Sequence, residues 1–279
     1  MAQSPAPGPA PRPAAQGREG QFEVIPLRGI ADQVVAELPP GARVTVTASA
    51  AQGLEATLAV AGELARQGFR TIPHLAARML RDAAEVREVL AHLTEAGVGE
   101  VFVIAGDAAQ PAGDLPGALE LLEALAAAGS GMTVGIGAHP EGHPHLPEAE
   151  AVRLLRAKAE HASYAVTQMC FEAEPLLQWV RGLREEGLTL PVRPGIAVAA
   201  GTARLLRIGT RIGVGRSLRL LGGEDSGMRR LLAPGRWDPA PLLEELREAG
   251  AARPELSLWA PHLYTFNALP AARETALAR

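Results

Sequence analysis

A single cysteine, Cys170, in 279 residues leaves no internal disulfide to form. The fold must rest on packing alone, and such cysteine usage fits a reducing compartment. Aromatic residues make up only 4% of the chain, so the core has to be built mainly from Ala, Leu and Val. Charge of one sign is missing too: 27 Lys and Arg stand against 31 Asp and Glu, which offers no electrostatic case for nucleic acid or an anionic membrane. No apolar run approaches the roughly 20 residues a membrane-spanning helix needs. The N-terminus lacks the apolar stretch of a secretory signal, and a cytoplasmic location is the expectation. No sequence repeat recurs at a fixed period.

What the chain does have is a recurring ending. Seven short apolar runs of β type stop at a polar residue and a turn: at Glu23, Thr47, His74, Asp107, His139, Gln168, and Tyr264 to Asn267. Helical patterns separate most of them, including Leu54–Gln67, Asp82–Ala96, Asp114–Ala128, Glu148–His161, Glu174–Glu186 and Pro239–Ala249. Runs such as EVFVI at Glu100–Ile104 are of the buried parallel type. Alternating strands and helices of this kind predict a single-domain α/β fold, a (β/α)8 TIM barrel over residues 21–279, with its chemistry at the C-terminal ends of the strands. Further strands are expected at Arg70–Pro73, Tyr164–Thr167, Leu190–Arg193 and Leu256–Leu263. Residues 1–20, rich in Pro, Ala and Gly, have no apolar pattern to dock and read as a disordered tail. Residues 209–234 match neither a strand nor one helix and read as an insertion of extra helical turns.

The strand endings supply the candidate site residues. Glu23 lies inside an apolar strand, where a carboxylate must be partnered, protonated or facing a cavity; in a barrel interior it could serve as a general acid with a raised pKa. The alternative is an outward-facing strand glutamate paired with a cation. Asp107, after Gly106, is placed as a ligand-facing carboxylate or as a turn cap. His74 is either a ligand contact or a satisfied structural imidazole. His139, His143 and His145 lie close together, but the intervening prolines and glycine prevent a helical ligand pair, so a ligand-touching loop is expected and no metal. Gln168 can both donate and accept, which suits a heterocycle edge. Lys158 could meet a phosphate or simply be solvated. Gly213–Ser217 is glycine-rich but lacks a nucleotide fingerprint.

In their order along the chain these motifs resemble the methylenetetrahydrofolate reductase family. The pieces are Phe22-Glu23 with Pro26, Val46-Thr47, Pro73-His74-Leu75, Gly106-Asp107, Pro140-Glu141-Gly142-His143-Pro144, Thr167-Gln168, Pro194-Gly195-Ile196 and His262-Leu263-Tyr264-Thr265-Phe266-Asn267. The resemblance implies a barrel that binds FAD, takes hydride from NADH or NADPH and reduces 5,10-methylenetetrahydrofolate to 5-methyltetrahydrofolate. It assigns Glu23 as the acid that protonates the folate amine and opens its ring. Asp107 would balance positive charge near flavin and pterin. Gln168 and Tyr264 would contact folate, and Thr47, His74, Gly106, His139, His143 and Lys158 the flavin.

Several positions depart from the family pattern. Ala105 stands where an arginine precedes Gly-Asp, His139 where a tyrosine is common, and Ala48 and Thr202 where aromatics are. Arg78 or Arg216 could restore the missing cation. Two further readings follow: a reductase on the same barrel without flavin or with another one-carbon substrate, and a non-catalytic folate- or flavin-binding barrel serving as a partner subunit. Self-association into a homo-oligomer is compatible with either.

Overall fold

A computed structural model describes residues 17, 19–49, 51–143, 146–201 and 236–277. The glycine-rich segment 213–217, the 209–234 insertion, Thr202, Arg216, His145 and most of the tail lie outside the described residues.

Eight parallel strands close into a barrel: β1 (Gln21–Val24), β2 (Arg43–Val46), β3 (Arg70–Ala76), β4 (Glu100–Ile104), β5 (Thr133–Ala138), β6 (Tyr164–Met169), β7 (Val192–Ala197) and β8 (His262–Tyr264), with β8 pairing back onto β1. Eight α-helices lie among the described residues: α1 (Ile30–Glu37), α2 (Gly53–Arg66), α3 (Ala83–Glu95), α4 (Ala118–Ala127), α5 (Glu148–Ala159), α6 (Ala173–Glu185), α7 (Ala240–Ala252) and α8 (Leu269–Leu277). The architecture is the (β/α)8 barrel that the alternation predicts.

Strand periodicity sorts the side chains. Phe22, Val24, Val44, Val46 and Ile196 point outward and pack with helix residues such as Val34, Leu64 and Val180 in one continuous core. Each such buried aliphatic side chain contributes about 1.5–3 kcal/mol by leaving water. Gln21, Glu23 and Arg43 point inward. Position 135 on β5 is glycine for a reason: a Cβ there would lie 2.6 Å from the Tyr164 ring and 2.7 Å from Phe102. These aromatics fill the space that β5 leaves open.

The boundaries differ from expectation in instructive places. β3 continues past His74 to Ala76, so His74 is an interior strand residue rather than a strand terminus. The eighth strand is only His262–Tyr264. Residues Pro254–Leu256 form a 3₁₀ turn instead, because Pro254 favours a turn start and Ser257 adopts φ 51°. The helix expected from Asp114 begins at Ala118, delayed by Pro116 and Gly117. Asp82 caps α3 by accepting from the amides of Ala84 (2.8 Å) and Glu85 (2.9 Å). Helix α1 has no counterpart in the sequence reading; it is short and enters through Gly29 at φ 77°.

The last tail residues touch the N-terminal end of the barrel. The Gly17 carbonyl accepts from the Ala260 amide (2.7 Å), and the Glu19 carbonyl from Arg193 (2.7 Å). The Glu19 carboxylate also pairs with Arg70.

Candidate active site

Strand β1 carries Glu23 into the barrel interior, where its side chain is 15% exposed. Its Oε2 lies 3.1 Å from His262 Nε2 on β8 and 3.6 Å from His74 Nε2 on β3. The backbone around it is clamped from the opposite chain end. Thr265 donates its hydroxyl to the Glu23 carbonyl at 2.5 Å. Asn267 uses both ends of its amide, accepting from the Ile25 N–H (2.8 Å) and donating to the Ile25 carbonyl (3.0 Å). To turn back this way, Phe266 and Asn267 both adopt left-handed backbone, φ 50° and 61°. Such strain in non-glycine residues persists only where the surroundings impose it.

The electrostatics of Glu23 differ from the expectation of a raised pKa. Burial does push the carboxyl up. The hydrogen bond with His262 and the positive charges that His262 and His74 can carry outweigh it, and the balance falls below the ordinary glutamate value. His74 is itself pushed down to about 4, chiefly by burial, so it is neutral at neutral pH. At that pH the pull on Glu23 therefore comes from its hydrogen bond with His262. His74 also rests against the Phe102 ring, 4.7 Å between centroids.

The other predicted residues gather at the C-terminal ends of the strands. His139 and Gln168 line one pocket together with Glu141, Gly142 and Cys170. A register shift in β6 between Val166 and Met169 displaces Gln168 from regular pairing. Its Oε1 accepts from the Met169 amide at 3.0 Å. His139 and His143 meet edge to face, 4.6 Å between ring centroids. His139 is lowered to about 4 by burial, then by the charges of His143 and Lys158. The Lys158 ammonium donates to the Gly137 carbonyl at 2.9 Å, and burial lowers it to about 8. Thr47 lies half-buried at the end of β2, its carbonyl accepting from the Thr57 hydroxyl at 2.9 Å.

Asp107 is exposed in the turn after β4. Gly106 before it has φ 88°, and a Cβ there would come 2.9 Å from Ala76 Cβ, so no other residue fits that turn without strain. Tyr264 spends its hydroxyl on the Thr167 carbonyl (3.0 Å) while its ring packs edge-on against His262. Glu23 and His74 thus share one contact group, and His139 and Gln168 share another. Among the described residues no group of three His, Cys, Asp or Glu could hold a metal ion.

Four contributors had no role assigned in the sequence reading, although His262, Thr265 and Asn267 stood within its last motif and Gln21 in its first strand: Gln21, His262, Thr265 and Asn267. The signals were present. Gln21 precedes Glu23 by two and His262 precedes Tyr264 by two, so each shares the inward face of its strand with a residue already singled out.

Comparison with known proteins places residues 27–214 in the family described as methylenetetrahydrofolate reductase. A probable methylenetetrahydrofolate reductase (NADPH) of Caenorhabditis elegans is 38% identical over 82 residues, 29% of this chain and 12% of that protein. Methylenetetrahydrofolate reductase 2 of Saccharomyces cerevisiae is 28% identical over 83 residues, 28% of this chain and 14% of the relative. The match therefore spans only about an eighth of the length of these relatives. A solved structure of oxaloacetate acetylhydrolase with 3,3-difluorooxalacetate superposes with a TM-score of 0.48 at 13% identity, over 64% of this chain and 67% of that one.

Proposed function

Since the chain belongs to the methylenetetrahydrofolate reductase family, we propose that it reduces 5,10-methylenetetrahydrofolate to 5-methyltetrahydrofolate with NADH or NADPH. The observation that carries this reading is Glu23: an inward-facing acid, mostly buried, held against His262 at 3.1 Å in the barrel interior. Opening the folate's five-membered ring requires a proton on its amine, and the iminium so formed accepts hydride at the methylene carbon. Glu23 supplies the proton; the nicotinamide supplies the hydride. Asp107 and Gln168 lie at the strand ends where the pterin would sit. Asp107 opposes the iminium charge, and Gln168 offers the heterocycle a donor and an acceptor.

FAD is implied by the family, but the residues described fit its diphosphate poorly. Position 105 is alanine rather than arginine. Arg78, the nearest substitute in sequence, is committed to the carbonyls of Ala108 (2.6 Å), Ala109 (2.7 Å) and Pro116 (3.2 Å). The Lys158 ammonium is already turned onto Gly137 and carries a lowered pKa. A doubly charged diphosphate needs cations or amide donors aimed at it. This donor set favours hydride passing directly from nicotinamide to folate.

The test is the visible spectrum of the purified protein together with turnover. A colourless protein that oxidises NADH or NADPH only in the presence of methylenetetrahydrofolate supports the direct route. Flavin bands released on denaturation would restore the FAD route. No turnover with either nucleotide, with or without added FAD, would overturn the reductase reading and leave the non-catalytic barrel.

A further inference from the structure

Beneath Glu23, polar side chains run across the N-terminal half of the barrel. The strand register sets Gln21 beside His262 on one side and beside Arg43 on the other. Glu100 Oε1 lies 2.6 Å from Arg43 Nη2, and Arg43 Nη2 lies 3.5 Å from Gln21 Oε1. Gln21 Nε2 is 2.8 Å from His262 Nδ1, and His262 Nε2 is 3.1 Å from Glu23 Oε2. Gln21, Arg43, Glu100 and His262 are all buried, so none can exchange its partner for bulk water.

Donor and acceptor types fix the direction of this chain. A guanidinium only donates, so Arg43 requires the Gln21 oxygen to face it. Turning the amide over would set its NH2 against the guanidinium, two donors in a dry space. With the oxygen committed, the Gln21 NH2 faces His262 and must donate, so Nδ1 of the ring must accept. The ring proton then sits on Nε2 and points at Glu23. An imidazolium would need a second proton on Nδ1, aimed at the Gln21 NH2. That arrangement is again donor against donor.

We propose that Arg43 and Gln21 are positioning residues for the acid: they lock His262 as the neutral Nε2–H tautomer, so that a proton entering the Glu23–His262 pair resides on the Glu23 carboxyl and not on the ring. The tautomer stands on geometry alone; its catalytic consequence rests on the reductase reading. The other ionisable groups around the pair are His74 on β3, Tyr264 on β8, Arg43 on β2, Glu100 on β4, and Tyr164 and Arg193 on β6 and β7. None of them places an acceptor on His262 Nδ1 in competition with the Gln21 NH2.

The tautomer can be read directly from the ring nitrogens of His262 by ¹⁵N–¹H NMR of the full chain at neutral pH. The signal is assigned by its loss in His262→Gln. The expected spectrum has Nε2 protonated and Nδ1 bare. A protonated Nδ1, alone or in an imidazolium, overturns the proposal. The second arm is Gln21→Glu, whose carboxylate can accept from both Arg43 and an Nδ1–H. The His262 signal should then shift to a protonated Nδ1. The kcat for methylenetetrahydrofolate reduction should fall by about tenfold or more, within the roughly 10²–10⁴-fold scale of acid catalysis, while the KM for nicotinamide stays unchanged. A switched tautomer with wild-type kcat overturns the positioning role. A wild-type protein with the expected tautomer and no folate turnover instead overturns the reductase reading and leaves the tautomer standing.

Discussion

Replacing Glu23 by glutamine changes the least matter and removes the most chemistry. The amide is isosteric, and its oxygen can still accept from His262 Nε2, now 3.1 Å from the carboxylate. The 15% exposed site does not have to reorganise around a cavity. What disappears is a proton that can be released to the folate amine. Loss of a positioned general acid costs roughly 10²–10⁴-fold, which is about 2.7–5.4 kcal/mol of barrier. Binding should be spared, because the ring-opened species is absent from the ground state. A second consequence falls on His74, 3.6 Å away. Burial lowers it to about 4 while the Glu23 charge holds it up. Without that charge it should titrate lower still. Single-turnover reduction of methylenetetrahydrofolate, calorimetric binding of 5-methyltetrahydrofolate and NMR titration of His74 read these three effects. A variant that reduces folate at the wild-type rate would refute the assignment of Glu23 as the acid and make it a structural strand residue.

Two other outcomes follow from the same geometry. His74 and His139 titrate near 4 in the folded protein against 6.5 when exposed. The unfolded chain therefore takes up these protons first, and stability should fall as pH drops from 6.5 toward 4. The loss for His74 is at most about 3.4 kcal/mol. Thermal melts across that range check it, and His74→Gln should flatten the slope. Deleting residues 2–16, which carry no apolar pattern, should leave the melting temperature nearly unchanged. Extending the deletion through Glu19 removes the carbonyl partners of Ala260 and Arg193 and should lower it by several degrees, the shift expected from about 1–2 kcal/mol in a domain of this size.

The barrel was legible because its strands end alike, and Glu23 was legible because an acid in an apolar run demands an explanation. Local pattern could not reach what depends on closure. Gln21 and His262 are 241 residues apart, and only the parallel register of β1 on β8 makes them neighbours. The same limit produced the wrong direction for Glu23's pKa. Burial can be inferred from one strand, whereas the partner that outweighs it arrives from the other end of the chain. The apolar run before His74 reads as a strand that stops there. It is carried onward by parallel pairing to β4 at Phe102.

The two clamps on β1 have a consequence for how activity is acquired. Thr265 and Asn267 grip the backbone at Glu23 and Ile25 across 242 residues, at the seam where the last strand meets the first. A nascent or partly folded chain can hold seven strands in place and still have no oriented acid. Contacts this distant in sequence form late, since loop closure is costly before they repay it. The orientation of the acid therefore depends on closure of the ring.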